Sequence, residues 1–228
     1  MRLFVKEIKM LTYEQIKKDK DIKTYIEKAD ASLRVLGFTE HSFAHVTKVA
    51  ETAAYILGKL GYSKHDIELA KIAAHLHDIG NLVNRIEHSQ SGAVMAFRIL
   101  DNLGFSAEDN ATIVTAIGNH DEGTGVPVSP IAAALILGDK SDVRRSRVRN
   151  TDLATFDIHD RVNYSVVRSE LVVGEDNKDV TLSLEIDTAI SSVMDYFEIF
   201  IARMVLCRKA AEMLGLKFKL VINNQTLL

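Results

Sequence analysis

The sequence predicts a mainly α-helical protein with a small antiparallel β-sheet and one long helix at its C-terminal end. Apolar residues recur at 46, 49, 50, 53, 56, 57 and 60, which is the spacing of one helix face. Glycines at 37, 61, 80 and 104 fall where helices would stop, and only two prolines interrupt the 228 residues. Beyond about residue 160 the texture turns to β-branched residues, and Asp179-Val-Thr-Leu-Ser-Leu-Glu-Ile186 alternates with period two.

In chain order, Thr12-Tyr-Glu-Gln15 and Ser63-Lys-His-Asp66 have the form of capping boxes that open helices. The amphipathic segment Val46–Leu60 is one helix, and Ile67–Gly80 is the next. Ile113, Ile117 and His120 continue an inward face to the end of another. Ser129-Pro130 reads as an N-cap followed by proline at the first helical position. Asp139 lies one turn after Leu135 on the helix so begun. Asn163–Val173 and Asp179–Ile186, joined by Gly174-Glu-Asp-Asn-Lys178, form a predicted hairpin. A helix from about Asp187 to Leu214 follows, closed by Gly215, and Lys217–Ile222 supplies a third strand. Residues 1–160 form the expected helical domain, with its core at 38–150, and residues 161–228 the appended hairpin, helix and strand. The sheet could serve as a dimerisation edge or as a substrate lid.

Composition excludes several classes. Charged residues make up 26% and the net charge is −3, so neither a basic nucleic-acid binder nor an acidic tail is indicated. The single Cys207 excludes an internal disulfide framework and fits a reducing compartment. Met1–Lys6 lacks the apolar run of a signal peptide. The apolar stretch Ile199–Leu206 carries Arg203 and is too short to span a bilayer. The expectation is a cytoplasmic protein with no membrane or nucleic-acid partner, compatible with a homodimer.

The chemistry concentrates on the pair His77-Asp78, which closes the apolar stretch Ile67–Gly80. Imidazole and carboxylate are ligands for iron, manganese, zinc or magnesium, and a carboxylate can bridge two ions. A His-Asp pair alone says little, since a second one, His159-Asp160, stands in a polar context. The first gains weight from its company: His45 before it, then His88, His120 and Asp139 after it. An aspartate on an apolar stripe is costly unless paired or metal-bound. Ligands near the ends of several helices are how helical bundles build metal centres. His65 and His159 read as solvated, and His75 points to another side of its helix from His77.

The order His, His-Asp, His, His, Asp resembles the HD-domain superfamily of metal-dependent phosphohydrolases in its two-metal form. The likeness covers about residues 38–150. It rests on Ala73-Ala-His-Leu-His-Asp-Ile-Gly80, Glu87-His-Ser-Gln-Ser-Gly-Ala93, Ala116-Ile-Gly-Asn-His120 and Leu137-Gly-Asp-Lys140. The resemblance implies an HD-type helical bundle. It implies that His45, His77, Asp78 and Asp139 hold one ion, and that His88 and His120 hold a second, with Asp78 bridging as the catalytic centre. The cofactor expected is one or two divalent or mixed-valent ions, iron or manganese first, with zinc, nickel or magnesium as alternatives. The activity implied is hydrolysis of a phosphate ester or anhydride, with a phosphorylated small molecule, a nucleotide above all, as substrate. Relative to the HD-GYP cyclic-dinucleotide phosphodiesterases, the chain carries Asn81 in place of a lysine and Asn119-His120 in place of a double histidine. It also has His41 where they place a third-metal glutamate, and a shorter Gly123–Pro127 loop. The ligand order is nearer to that of binuclear dinucleoside-polyphosphate hydrolases. Two other readings share the scaffold: a mixed-valent di-iron oxygenase and a non-catalytic metal- or nucleotide-binding sensor.

After Asp139 comes Lys140-Ser-Asp-Val-Arg-Arg-Ser-Arg-Val-Arg149, with five basic residues. Arginine's planar fork suits phosphate, and lysine meets it as a point charge. Lys140, Arg144 and Arg145 are therefore candidate substrate contacts, the alternative being a solvated face. Arg147 and Arg149, further along the chain, lean to that alternative. His41, one turn before His45, and Arg85, just past the His-Asp helix, are further candidates.

Overall fold

A computed structural model describes residues 11–227. After the short helix α1 (Tyr13–Ile16), five helices follow: α2 (Lys20–Val35), α3 (Phe43–Lys59), α4 (Lys64–Leu76), α5 (His88–Asn102) and α6 (Ala107–Gly118). Next come α7 (Pro130–Ser141) and α8 (Ile158–Ser165), then strands β1 (Val166–Val173) and β2 (Asp179–Ile186). Helix α9 (Val193–Met213) leads to β3 (Lys217–Ile222) and β4 (Gln225–Thr226). Among the described residues, no helix is long and apolar enough to cross a membrane.

Short polar side chains set the helix starts. Asp19, Ser42, Ser63, Ser106, Ser129, Asp157 and Ser192 each accept a hydrogen bond from an otherwise orphaned backbone N–H in the first turn. The Thr12–Gln15 capping box forms as expected. Helix α7 is the hub. Ala132, Ala134 and Leu135 pack into one core with Ile72, Leu76 and Ile113, while Ile136 and Leu137 pack into a second with Tyr196, Phe200 and Leu182. Burying each large side chain contributes about 1.5–3 kcal/mol before entropy is set against it. Helix α3 crosses α7 closely, because a Cβ at Gly138 would stand 2.9 Å from the Val49 carbonyl oxygen. Gly80 matters more to the site. A Cβ there would collide with the His88 carbonyl oxygen and the Gly92 nitrogen. Glycine alone lets the turn after His77-Asp78 lie against the start of α5.

The sheet runs β1-β2-β3-β4. The hairpin forms, with Asn177 at a positive φ of 54° in its turn. Three expectations need correcting. The sheet is mixed, since β2 and β3 are parallel; a parallel pair needs a crossover, and the 21-residue α9 is that crossover. The first strand begins at Val166 and not at 163, because α8, capped by Asp157, carries the chain in helix as far as Ser165. The long helix begins at Val193 and not near Asp187, since its capping box is Ser192 with Asp195. A two-residue fourth strand, reached through Asn223 and Asn224 at φ 48° and 64°, was not anticipated.

Candidate metal centre

The six expected ligands all sit at or near helix ends, where side chains from different helices can converge. His45 is the third residue of α3, just past the Ser42 cap. His77 caps the C-terminal end of α4, and Asp78 follows it. His88 is the first residue of α5, delivered by Glu87 at an unusual left-handed φ of 56°. His120 follows the C-cap of α6, and Asp139 lies in the last turn of α7. All four imidazoles and Asp78 are buried.

The Asp78 carboxylate divides the cluster in two. Its Oδ2 lies 3.1 Å from His77 Nε2 and 3.6 Å from His45 Nε2. Its Oδ1 faces His88 Nε2 at 3.5 Å and His120 Nε2 at 4.0 Å. Asp139 Oδ1 completes the first group, 3.3 Å from His45 Nε2 and 3.7 Å from His77 Nε2. Donors about 2.1 Å from a shared ion stand roughly 3.0–3.4 Å from one another; two of these separations, 3.1 and 3.3 Å, lie in that range and the other four, at 3.5–4.0 Å, lie above it.

Every Nδ1 is spoken for. His45 Nδ1 donates to Asp142 Oδ2 at 2.8 Å and His77 Nδ1 to the Ala74 carbonyl at 2.7 Å. His120 Nδ1 donates to the Ile117 carbonyl at 2.6 Å and His88 Nδ1 to the Arg85 carbonyl at 3.1 Å. Carbonyl and carboxylate acceptors fix the proton on Nδ1 and turn the Nε2 lone pair inward, as metal-ligating histidines require. His45 Nε2, His77 Nε2 and Asp78 Oδ2 are then buried with no hydrogen-bond partner. His88 and His120 aim their Nε2 atoms at each other across 3.2 Å. Facing lone pairs beside two carboxylates call for a cation among them. A proton can play that part in the ion-free protein. Burial pushes the His77 imidazole down, but the Asp78 carboxylate and its contact with Asp139 prevail and hold it at about 10. Burial lowers His88 and His120, keeping both neutral and ready to ligate. Asp78 and Asp139 stay well below the usual carboxylate range; burial opposes this, and His77 and Lys140 respectively outweigh it. Four imidazoles and two carboxylates make a mixed nitrogen–oxygen set, suited to iron, manganese or zinc. The residues present fit a pair of such ions.

A cavity of about 320 Å³ opens onto Asp78, His88 and Asp139. Its wall includes three of the expected substrate contacts. His41 is anchored by Nδ1 to the Thr39 carbonyl at 2.7 Å. Arg85 lies over the Phe38 ring at 5.5 Å and donates to Asn81 Oδ1 at 3.3 Å. Lys140 is buried between Glu122 and Asp139. Asn81 in turn donates to Asp78 Oδ1 at 3.0 Å, so it orients the Asp78 carboxylate.

Arg144 and Arg145, also expected there, are not in the wall. Arg144 turns back to Asp142 Oδ1 at 2.8 Å and Glu40 Oε2 at 3.3 Å. Arg145 donates to the Tyr164 carbonyl at 2.6 Å and lies over the Tyr164 ring at 4.6 Å. The 3-10 turn at Arg145–Arg147 fans these side chains outward and swings Arg147, read from sequence as solvated, into the wall. There Arg147 is 4% exposed, held by the Glu40 and Asp142 carbonyls at 2.8 Å each. Arg149 pairs with Asp30. His159 is exposed but lines the cavity rim, and His65 is solvated beside Asp109 as expected. His75 faces away from the cluster, edge-on to Tyr13 at 5.6 Å.

Sequence reading passed over four functional candidates and set a fifth, Arg147, on a solvated face. Asp121, with Oδ1 3.9 Å from His88 Nε2, forms with His120 one of the four His-Asp pairs that the sequence displays openly. Asp142, three residues past Asp139, braces His45. Glu122, Arg147 and Arg203 line the cavity, and no local pattern marks Glu122 or Arg203.

Fold and site together define a helical bundle with a candidate binuclear metal centre at its helix ends. The HD domain model matches residues 42–162, more than half of the chain, and the chain belongs to that family. It is 25% identical over 217 residues to the uncharacterized protein MJ1020 of Methanocaldococcus jannaschii, covering 84% of this chain and 81% of that one. It also aligns with the crystal structure of a predicted HD superfamily hydrolase from an uncultured Thermotogales bacterium. That match has 24% identity and a TM-score of 0.45, over 59% of this chain and 75% of that one.

Proposed function

We propose that the protein is a metal-dependent phosphohydrolase that cleaves a phosphate ester or anhydride, with a nucleotide as the leading substrate class. The observation that carries this reading is the division of Asp78 between two histidine pairs whose Nδ1 atoms are all tied to oxygens. His45, His77, Asp139 and Asp78 Oδ2 would hold one ion; His88, His120 and Asp78 Oδ1 would hold the other, with Asp121 at its edge. Ions bound there supply an activated water at neutral pH and polarise phosphoryl oxygens. The chain's own contribution is binding and orientation. Arg85, Lys140 and Arg147 present cationic N–H groups to the cavity, where charge-assisted contacts to phosphate are worth about 1.5–3 kcal/mol each. His41, with its Nδ1 proton committed to the Thr39 carbonyl and its imidazole kept neutral by burial, is left with an Nε2 that accepts, which suits a hydroxyl or water of the substrate complex. Asn81 holds the bridging carboxylate in place.

The test is metal analysis of the purified protein, then a phosphate-release screen over nucleotides and phosphomonoesters with added manganese or iron. Release that is abolished in Asp78→Asn supports the reading. Oxygen consumption without phosphate release would assign the site to di-iron oxygenation, and ligand binding without either would assign it to a sensor.

A further inference from the structure

Resting on the hydrolase reading, we infer that helix α9, outside the matched HD segment, supplies a positioning residue to the site: Arg203 shares the charge of Glu122, leaving the Lys140 ammonium available to an anionic substrate. The contacts form an unbroken line. Arg203 Nε donates to Glu122 Oε1 at 2.9 Å, and Glu122 Oε2 accepts from Lys140 Nζ at 2.6 Å. Lys140 Nζ also donates to Asp139 Oδ2 at 2.8 Å, while Asp139 Oδ1 faces His45 and His77. The Arg203 guanidinium lies 4.3 Å from the Phe200 ring centroid, and both residues line the cavity.

Three physical points turn this line into a function. An ammonium has three donors, and Lys140 commits two of them to carboxylates, so one remains for a ligand in the cavity it lines. Arg203 and Lys140 carry two positive charges against two negative ones on Glu122 and Asp139, so this group of four is neutral. Without Arg203 the remaining three groups sum to −1 beside the place where a phosphoryl group must enter, and like charge is costly at low local dielectric. Arginine also suits the task geometrically, because one nitrogen can hold Glu122 while the planar fork rests on Phe200.

The experiment titrates inorganic phosphate into the manganese-loaded protein by calorimetry, with metal content and thermal midpoint measured on each sample. Arg203→Met should weaken phosphate binding by about tenfold or more with metal content unchanged. Adding Glu122→Gln to Arg203→Met removes one negative charge as well, and should recover most of the lost affinity. Arg203→Lys keeps the charge and should bind phosphate nearly as the unaltered protein does; it carries the test should Arg203→Met fail to fold. Wild-type binding in Arg203→Met, or a double variant no better than the single, would overturn the inference and leave the hydrolase reading standing. A folded Arg203→Lys that loses phosphate as fully as Arg203→Met would also overturn it. An unaltered, metal-loaded protein that takes up no phosphate would sink the hydrolase reading itself, and this inference with it.

Discussion

The two halves of the metal cluster are built to different specifications. The half formed by His45, His77 and Asp139 is braced by charge: Asp142 holds His45 at 2.8 Å, and Lys140 holds Asp139 at 2.8 Å. Its donors include an oxygen from each of two aspartates. The half formed by His88 and His120 is braced only by backbone carbonyls, and Asp78 gives it a single oxygen. Each half gives the cavity wall one residue, Asp139 and His88, and Arg85 stands 3.3 Å from His88 Nε2. Carboxylate bracing raises the basicity of an imidazole and fixes it more firmly than a carbonyl does. On the proposed two-ion reading, the first half would be the tight site and the second the exchangeable one.

The most damaging change to this contrast is Asp78→Ala, which removes the donor shared by both halves. It should abolish bound metal and turnover together, read by elemental analysis and phosphate release. His88→Ala should act on one half only, lowering stoichiometry from two ions to one while the fold, followed by circular dichroism, persists. If His88→Ala retained two ions, the second half would be misassigned. Asp142→Asn weakens the brace on His45 and should lower affinity at the tight site by about 10–100-fold, measured by competition with a chelator. Arg144→Ala, which touches the site only through Asp142 and Glu40, should leave phosphate affinity unchanged and cost the tight site a few-fold at most. Binding at the tight half should also expel a proton, because His77 is held at about 10 in the ion-free protein. Affinity there rises with pH up to that value, and calorimetry in buffers of different ionisation enthalpy at pH 7 should report about one proton released.

Much of the site was legible because its ligands follow helix grammar. His77-Asp78 closes an apolar stripe, and His120 and Asp139 extend inward faces one turn past an isoleucine or a leucine, so position along the helix predicts direction. The cavity wall was less legible. Arg144, Arg145 and Arg147 are chemically alike, and only the 3-10 turn that follows α7 decides which of them faces inward. Arg203 lies 81 residues from its partner Glu122, a distance over which sequence pattern carries no signal. The strands were visible as alternation, but alternation is silent about pairing direction. The long helix between β2 and β3 was the available clue to a parallel pair.

The most direct test of a carboxylate bridging two ions is anomalous scattering from crystals of the manganese- or iron-loaded protein, collected at the metal edge. Two peaks are expected roughly 3.5–4 Å apart, one beside His45, His77 and Asp139, the other beside His88 and His120, with one Asp78 oxygen on each. A single peak, or two peaks of which only one touches Asp78, would contradict it.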